Sequence, residues 1–278
     1  MMATFFGEVL SVYSRAVEED EDELEDESEE DVQIRREIEN KREVHVHWSS
    51  EITKSTDKPF QCSDFIIGVG HNAAGFLSAF VLSSGSWEAV GSASLWNERS
   101  RGSSQPAGEP SCRFYRSAGC SSVLICLCTC FVAEDQLFQW TEKVFGFIQT
   151  RGLQVLVLSD ASVSEYTTAD PVSASPVPFL RALKSSAYQD RVHCPMMEQP
   201  NIVTCLPAAV LSHCQVHQIP AVLYQCYSDV VSPDTVTMET YKPALPCLSK
   251  LVTLDSSPSI DVLRKVVKSS ESQSNLYT

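Results

Sequence analysis

Three groups of residues in this chain of 278 have types and spacings that could do chemistry. In the first, Gly68-Val69-Gly70-His71-Asn72-Ala73 follows an apolar run and precedes a helical pattern. This is the loose form of the turn that seats a dinucleotide pyrophosphate on a helix N-terminus, and Glu88, about 20 residues on, stands near the place of the ribose-binding acid. That reading makes the chain an NAD(P)-binding oxidoreductase built on the Gly68-x-Gly70 turn. Against it, Glu88 opens its own segment beside Trp87 instead of closing a second strand, and small residues suit any tight strand-to-helix turn. In the second group His213 and His217 stand one helical turn apart beside Cys214, with Cys194, Cys205 and Cys226 nearby, so a zinc site is conceivable. The metalloprotease pattern would need a glutamate where Cys214 stands, and no Cys-x-x-Cys pair exists. The third group, Cys126, Cys128 and Cys130, shares one face of a strand, where thiols pack as small apolar groups. No Gly-x-Ser-x-Gly elbow and no Walker loop occurs. The residues support no catalytic group, no cofactor and no metal site, and the chain is read as a non-enzyme.

A different chemistry sits at the chain's last residues. After the polar run Ser269 to Asn275 come Leu276, Tyr277 and Thr278, an aliphatic group, an aromatic group and a carboxylate. Capture of a terminal carboxylate in a groove is a recurring recognition mode, with the aromatic ring as anchor.

The elements that would carry these groups alternate. Val32 to Arg42 holds good helix formers with Ile34 and Ile38 one turn apart, and Val44, Val46 and Trp48 then alternate with His45 and His47 as an edge strand should. Asp64 to Gly70 reads as a buried strand feeding a helix that Asn72 caps and Gly85 ends. A strand over Cys112 to Arg116, a buried strand over Val123 to Val132, a helix from Ala133 to about Ile148 and a strand over Leu153 to Leu158 follow. Arg99 to Pro110 and Ser159 to Pro178, rich in Ser and Pro, read as loops. Leu206 to Gln218 reads as helix, Ile219 to Tyr227 as strand, and helices follow near Pro233 to Leu245 and Pro258 to Lys268. Apolar strands alternating with helices predict an α/β fold, a three-layer α/β/α sandwich around a mixed central sheet.

Composition bounds the rest. Hydrophobic residues make up 43% of the chain, enough for a substantial core. The net charge of −15 is concentrated, because Glu18 to Asp31 holds 12 acids among 14 residues, and taking those from 36 leaves 24 acids against 21 bases. Such a block repels itself, so residues 1–31 are expected to be a largely disordered acidic segment, ahead of a single domain over 32–268 and a flexible tail over 269–278. As a lure for a basic partner, the same block would make the chain a plain acidic interaction module. No basic stripe interleaved with aromatics suits nucleic acid, which the acidic run would repel. No apolar stretch reaches the roughly 18 residues that cross a bilayer, so no membrane span is expected. Eleven cysteines without a recognisable leader suggest reduced thiols and a cytoplasmic location.

Several strings together carry a resemblance. They are Ala3 to Val9, Val132 to Gln136 with Trp140 and Glu142 to Gly146, Pro178 to Lys184, Glu198 to Val203 with Leu206 to Ser212, Ile219 to Tyr224, and the closing Gln273 to Thr278. Collinear over essentially the whole chain, they resemble a vertebrate member of the proteasome assembly chaperone family. The resemblance implies a core similar to the purine nucleoside phosphorylase type of α/β/α sandwich, without that chemistry. It also implies a chaperone that pairs with its paralogue, proteasome assembly chaperone 2, promotes assembly of the heptameric α-ring of the proteasome core particle and stops α-rings dimerising wrongly. Its partners would be that paralogue and the proteasome α subunits. By the same resemblance Leu276, Tyr277 and Thr278 match a hydrophobic-Tyr-x motif that enters a pocket between neighbouring α subunits, where the Thr278 carboxylate would pair with a lysine. A peripheral association with the endoplasmic reticulum would be added to the cytoplasmic location.

Overall fold

The computed structural model describes residues 29–53, 60–85, 87–95, 112–118, 122–168, 176–230, 232–250 and parts of 252–267. The chain divides into two compact units, Met1–Arg42 and Glu43–Thr278. In the first, helix α1 (Glu29–Arg42) begins three residues inside the acidic run, so the disorder expected through Asp31 does not hold for Glu29 to Asp31. The helix is polar nearly all round, and Ile34 and Ile38 are exposed. The rest of the acidic run and the expected loop over Arg99 to Pro110 lie outside the described residues.

The second unit is built on eight strands: β1 (His45–Trp48), β2 (Asp64–Val69), β3 (Trp87–Ser94), β4 (Cys112–Ser117), β5 (Val123–Cys128), β6 (Gln154–Ser162), β7 (Phe179–Lys184) and β8 (Ala221–Ser228). They form one mixed sheet in the order β1-β3-β4-β5-β2-β6-β8-β7. The run β5-β2-β6-β8 is parallel, and the pairs β1–β3, β3–β4, β4–β5 and β7–β8 are antiparallel. Strands β5 and β8 are almost wholly buried and show no alternation, as strands covered on both faces should. Strand β1 is the edge its alternation predicts, with Trp48 packed on Phe114 and Phe147 at ring-centroid distances of 4.6 and 4.4 Å.

Helices cover both faces. A single turn, α2 (Ser50–Thr53), follows β1. Helix α3 (His71–Phe80) follows β2, α4 (Leu137–Phe145) follows β5, and α5 (Cys205–Val216) precedes β8. Short helices α6 (Thr235–Thr240) and α7 (Leu245–Leu248) follow β8, and residues 261–264 are helical. One core layer joins Trp140, Val144 and Phe145 of α4 with Leu206, Val210 and Cys214 of α5 against Phe65, Ile67, Val155 and Leu223. The other joins Phe76, Leu77 and Phe80 of α3 with Met238 and Tyr241 against Ile66, Ile125, Leu156 and Tyr224. Each large apolar side chain so buried contributes about 1.5–3 kcal/mol relative to exposure, so both faces hold their helices firmly. The three-layer α/β/α sandwich with a mixed sheet stands as expected.

Several local expectations differ. The helix expected from Ala133 starts with a tight turn at Glu134–Gln136 and becomes α-helical at Leu137. The strand expected through Val132 stops at Cys128. Strand β6 runs to Ser162 and a further tight turn covers Val163–Glu165, so the loop expected from Ser159 begins later. The sequence pattern gives no strand over β3 or β7. Because β5, β2, β6 and β8 are parallel, their carboxyl ends share one end of the sheet, here called the upper end, and their amino ends share the lower.

Candidate functional site

In open α/β sheets ligands bind beyond the carboxyl ends of the parallel strands, and the Gly68-Val69-Gly70 turn lies there. Its glycines answer to packing. A Cβ on Gly68 would meet Leu77 Cδ1 of α3 at 2.8 Å, so the helix sits close on the strand. Gly70 has φ 98°, a left-handed conformation that favours glycine, and a Cβ there would collide with the Asp160 carboxylate.

Asp160 is the centre of the site, and nothing near Gly70 in the sequence announces it. Strand β6 pairs with β2 in parallel register, Val69 opposite Ser159, so the next residue of β6 comes up beside the turn. Its carboxylate accepts from the backbone N–H of Asn72 (2.7 Å) and of Ala73 (3.1 Å), two of the first-turn donors of α3 that have no partner within the helix. The Tyr241 hydroxyl donates to the same carboxylate at 2.8 Å. Burial is the largest influence on Asp160 and outweighs the three donors, pushing its pKa up to about 6. Tyr241, buried beside it, is pushed well above the usual phenol range by burial first and by the Asp160 charge second.

Asn72 does not cap α3; Gly70 occupies that position and offers no side chain. Asn72 is buried, and its Oδ1 accepts from the Asp234 N–H at 2.8 Å. Asp234 in turn caps α6 by accepting from the N–H groups of Val236 (2.8 Å) and Thr237 (3.0 Å) and from the Thr237 hydroxyl. One chain of hydrogen bonds thus ties β6, the starts of α3 and α6, and Tyr241 together.

The arrangement leaves no support for the oxidoreductase reading. A pyrophosphate would need the N–H groups that Asp160 holds and the space its carboxylate fills, and would meet that carboxylate's charge when it is ionised. Glu88 lies at the start of β3, at the lower end, with β4 and β5 between it and β2. There it is exposed and faces Arg116 across the strands at 3.9 Å. Two cavities among the described residues lie elsewhere: a groove of about 440 Å³ lined by β1, Lys143 and Phe147, and a space of about 50 Å³ lined by Gln154, Tyr188, Val222 and Cys247.

The other sequence candidates also resolve. His213 and His217 meet as tilted rings with centroids 4.3 Å apart, and His213 stacks on Phe145 at 4.6 Å. Burial lowers the His213 pKa, and His217 lowers it further. Cys214 is turned into the core, and no three His, Cys, Asp or Glu side chains converge on a metal position among the described residues. Cys126 and Cys128 are buried core groups beside Cys112, whose Sγ lies 3.7 Å from that of Cys126, and burial raises the thiol pKa of Cys126. Leu276, Tyr277 and Thr278 lie outside the described residues. No described helix is long and apolar enough to cross a membrane.

A second anchored region shares the upper end. The Asn201 side chain accepts from the Thr167 N–H (2.7 Å) and donates to the carbonyls of Thr167 (2.7 Å) and Glu198 (2.9 Å), fixing the segment before α5 to the one after β6. Next to it Tyr166, Phe179 and Tyr227 form a small cluster, with the Arg181 guanidinium 4.8 Å from the Phe179 ring centre and its Nε donating to the Tyr166 hydroxyl at 3.0 Å.

Known proteins bear on this architecture. A family described as proteasome assembly chaperone 4 matches residues 2–278. A Danio rerio protein named proteasome assembly chaperone 1 is 59% identical over 283 residues, spanning 100% of both chains. The Homo sapiens protein of that name is 44% identical over 288 residues, again 100% of both. Among solved structures, a Thermoplasma acidophilum protein of unknown function superposes with a TM-score of 0.54 at 12% identity, covering 80% of this chain and 87% of its own. Pyrococcus furiosus PbaA, an archaeal homolog of proteasome-assembly chaperone, gives 0.52 at 12% identity, covering 83% and 94%. These two likenesses show the fold.

Proposed function

The chain belongs to the proteasome assembly chaperone 1 family, and from that premise we propose that it pairs with proteasome assembly chaperone 2 and promotes assembly of the α-ring of the proteasome core particle. The observation that carries this reading is likeness along the full length to relatives of that name. The pair holds early α-subunit intermediates and prevents α-rings from dimerising off the pathway. The protein acts as a binding partner and not as an enzyme, which fits a ligand crevice filled by its own Asp160.

Leu276, Tyr277 and Thr278 supply the α-subunit contact in this reading. A carboxylate paired with a lysine, beside one aromatic anchor, fixes orientation with modest strength, as suits a partner that must later leave. A second tail on the paralogue raises affinity through effective concentration without making either contact permanent. The complex works in the cytoplasm, with a peripheral fraction at the endoplasmic reticulum.

The test is co-expression of the chain, intact and lacking Leu276 to Thr278, with proteasome assembly chaperone 2 and α subunits, read by native mass spectrometry. The expected result is a 1:1 pair in both cases and α-subunit complexes that weaken only on truncation. Well-folded protein that forms neither complex would overturn the reading. Deleting Glu18 to Asp31 separates it from a plain acidic interaction module, since only the module loses its partners on that deletion.

A further inference from the structure

We propose that the upper end of the sheet is a docking surface for a protein that presents apolar side chains among lysines and arginines, and that this partner is a proteasome α subunit, an identification that rests on the function proposed above. Seven large apolar side chains described in residues 43–278 are exposed, and five belong to segments at the upper end. Phe131 (64% exposed) follows β5, and Phe138 (69%) stands on the first turn of α4. Ile202 (76%) precedes α5, and Val230 and Val236 follow β8. Single exposed hydrophobics need no explanation, but here five are gathered along one edge of the sheet, from segments on both of its faces, and that edge is the place for an interaction surface.

Three of these side chains stand on braced supports. Ile202 adjoins Asn201, whose three hydrogen bonds fasten its segment. Val236 sits in the turn that Asp234 caps, and Phe138 on a helix held by buried Trp140, Val144 and Phe145. A surface already ordered loses little conformational entropy on binding.

Charge selects the partner. Exposed acids accompany the apolar groups along the chain: Glu134 and Asp135 lie between Phe131 and Phe138, Glu198 precedes Ile202, and Asp229 adjoins Val230. Glu165, exposed, is at the same end. The bases at this end are engaged: Arg181 is folded over the Phe179 and Tyr166 rings, Lys143 pairs with Glu43, Lys242 pairs with Glu239, and Arg113 stands on β4. Exposed Arg151, Lys184, Arg191 and Lys250 are in segments at the lower end. Acids of one sign around apolar groups repel nucleic acid and acidic proteins and steer a basic partner. A permanent subunit contact is more apolar and carries few charges at its core, so this surface suits a partner that is held and then released.

The experiment uses the complex with proteasome assembly chaperone 2 and measures its binding to purified α subunits at low and high salt. Variants are Glu134→Lys with Asp135→Lys, Phe131→Ser with Phe138→Ser, and, at the lower end, Lys184→Glu with Lys250→Glu. The charge pair should weaken binding by about tenfold at low salt and by less at high salt. The apolar pair should weaken it by at least about tenfold at both, while the lower-end pair leaves it unchanged. Should the apolar pair fail to fold, the charge pair, which removes no buried group, decides. Upper-end variants that bind like the unaltered chain would overturn the proposal, as would variants that melt normally yet lose the paralogue instead of the α subunits. An unaltered complex that binds no α subunit would sink the proposed function itself, a different result from either.

Discussion

The two ends of the sheet are made by the same strands and differ in what they do with polar groups. At the upper end a withdrawn carboxylate, Asp160, serves the N–H groups of two residues and a tyrosine, and exposed apolar side chains stand on segments at the same end. At the lower end charges are loosely paired, exposed Lys250 with Asp190 and half-buried Arg116 with exposed Glu88, both at 3.9 Å. A polar group shielded from water is held by every partner it has, whereas exposed ions trade one another for water at little cost. The upper end is therefore rigid where it is buried and apolar where it is exposed, a combination suited to presenting a surface.

Replacement of the central acid tests this contrast most severely. Asp160→Ala strands the N–H groups of Asn72 and Ala73 and the buried Tyr241 hydroxyl, and should lower stability in urea by about 3 kcal/mol or more. At the lower end Asp190→Ala should change it by less than about 0.5 kcal/mol; equal losses would erase the distinction. Gly70→Ala comes next, at about 2–3 kcal/mol, because a strained φ is joined to a collision with Asp160. Gly152, also left-handed at φ 79° but in open space at the lower end, should lose only about 1 kcal/mol on the same change.

Acidity offers a gentler probe. The Asp160 pKa, raised to about 6 from 3.8, means the folded state binds this proton more tightly than the unfolded chain. The contribution is present in full below about pH 4 and is lost as pH rises through 6, a change of roughly 3 kcal/mol. Urea titrations of the protein and of Asp160→Asn should differ by that slope; parallel curves would show that the carboxylate titrates as it does in the unfolded chain. The smallest effect is expected from Asn201→Ala, about 1 kcal/mol, with faster hydrogen exchange at the Thr167 amide and no change at Ser185, a lower-end residue. Unaltered exchange at Thr167 would show that the clamp does not hold the loop.

Legibility followed burial. The runs Phe65-Ile66-Ile67, Leu124-Ile125-Cys126 and Val155-Leu156-Val157-Leu158 announce strands because strands covered on both faces need continuous apolar surface. Strand β7, Phe179-Leu180-Arg181-Ala182-Leu183-Lys184, consists largely of good helix formers and is a strand because it pairs with β8 along its length. Strand β3 shows no alternation, carries a register shift between Ala89 and Gly91, and depends on its two neighbours.

By itself the sequence determined the layer architecture, the buried mixed sheet and the membership of a family, because periodicity and long matching strings are local properties of the chain. Only the tertiary structure decided the purpose of the glycine turn. Asp160 lies 88 residues from Asn72, and its carboxylate reaches that N–H because β2 and β6 run parallel and end side by side. The gathering of Phe131, Phe138, Ile202, Val230 and Val236 at one end has the same origin, since parallel strands bring to one edge segments that no spacing along the chain relates.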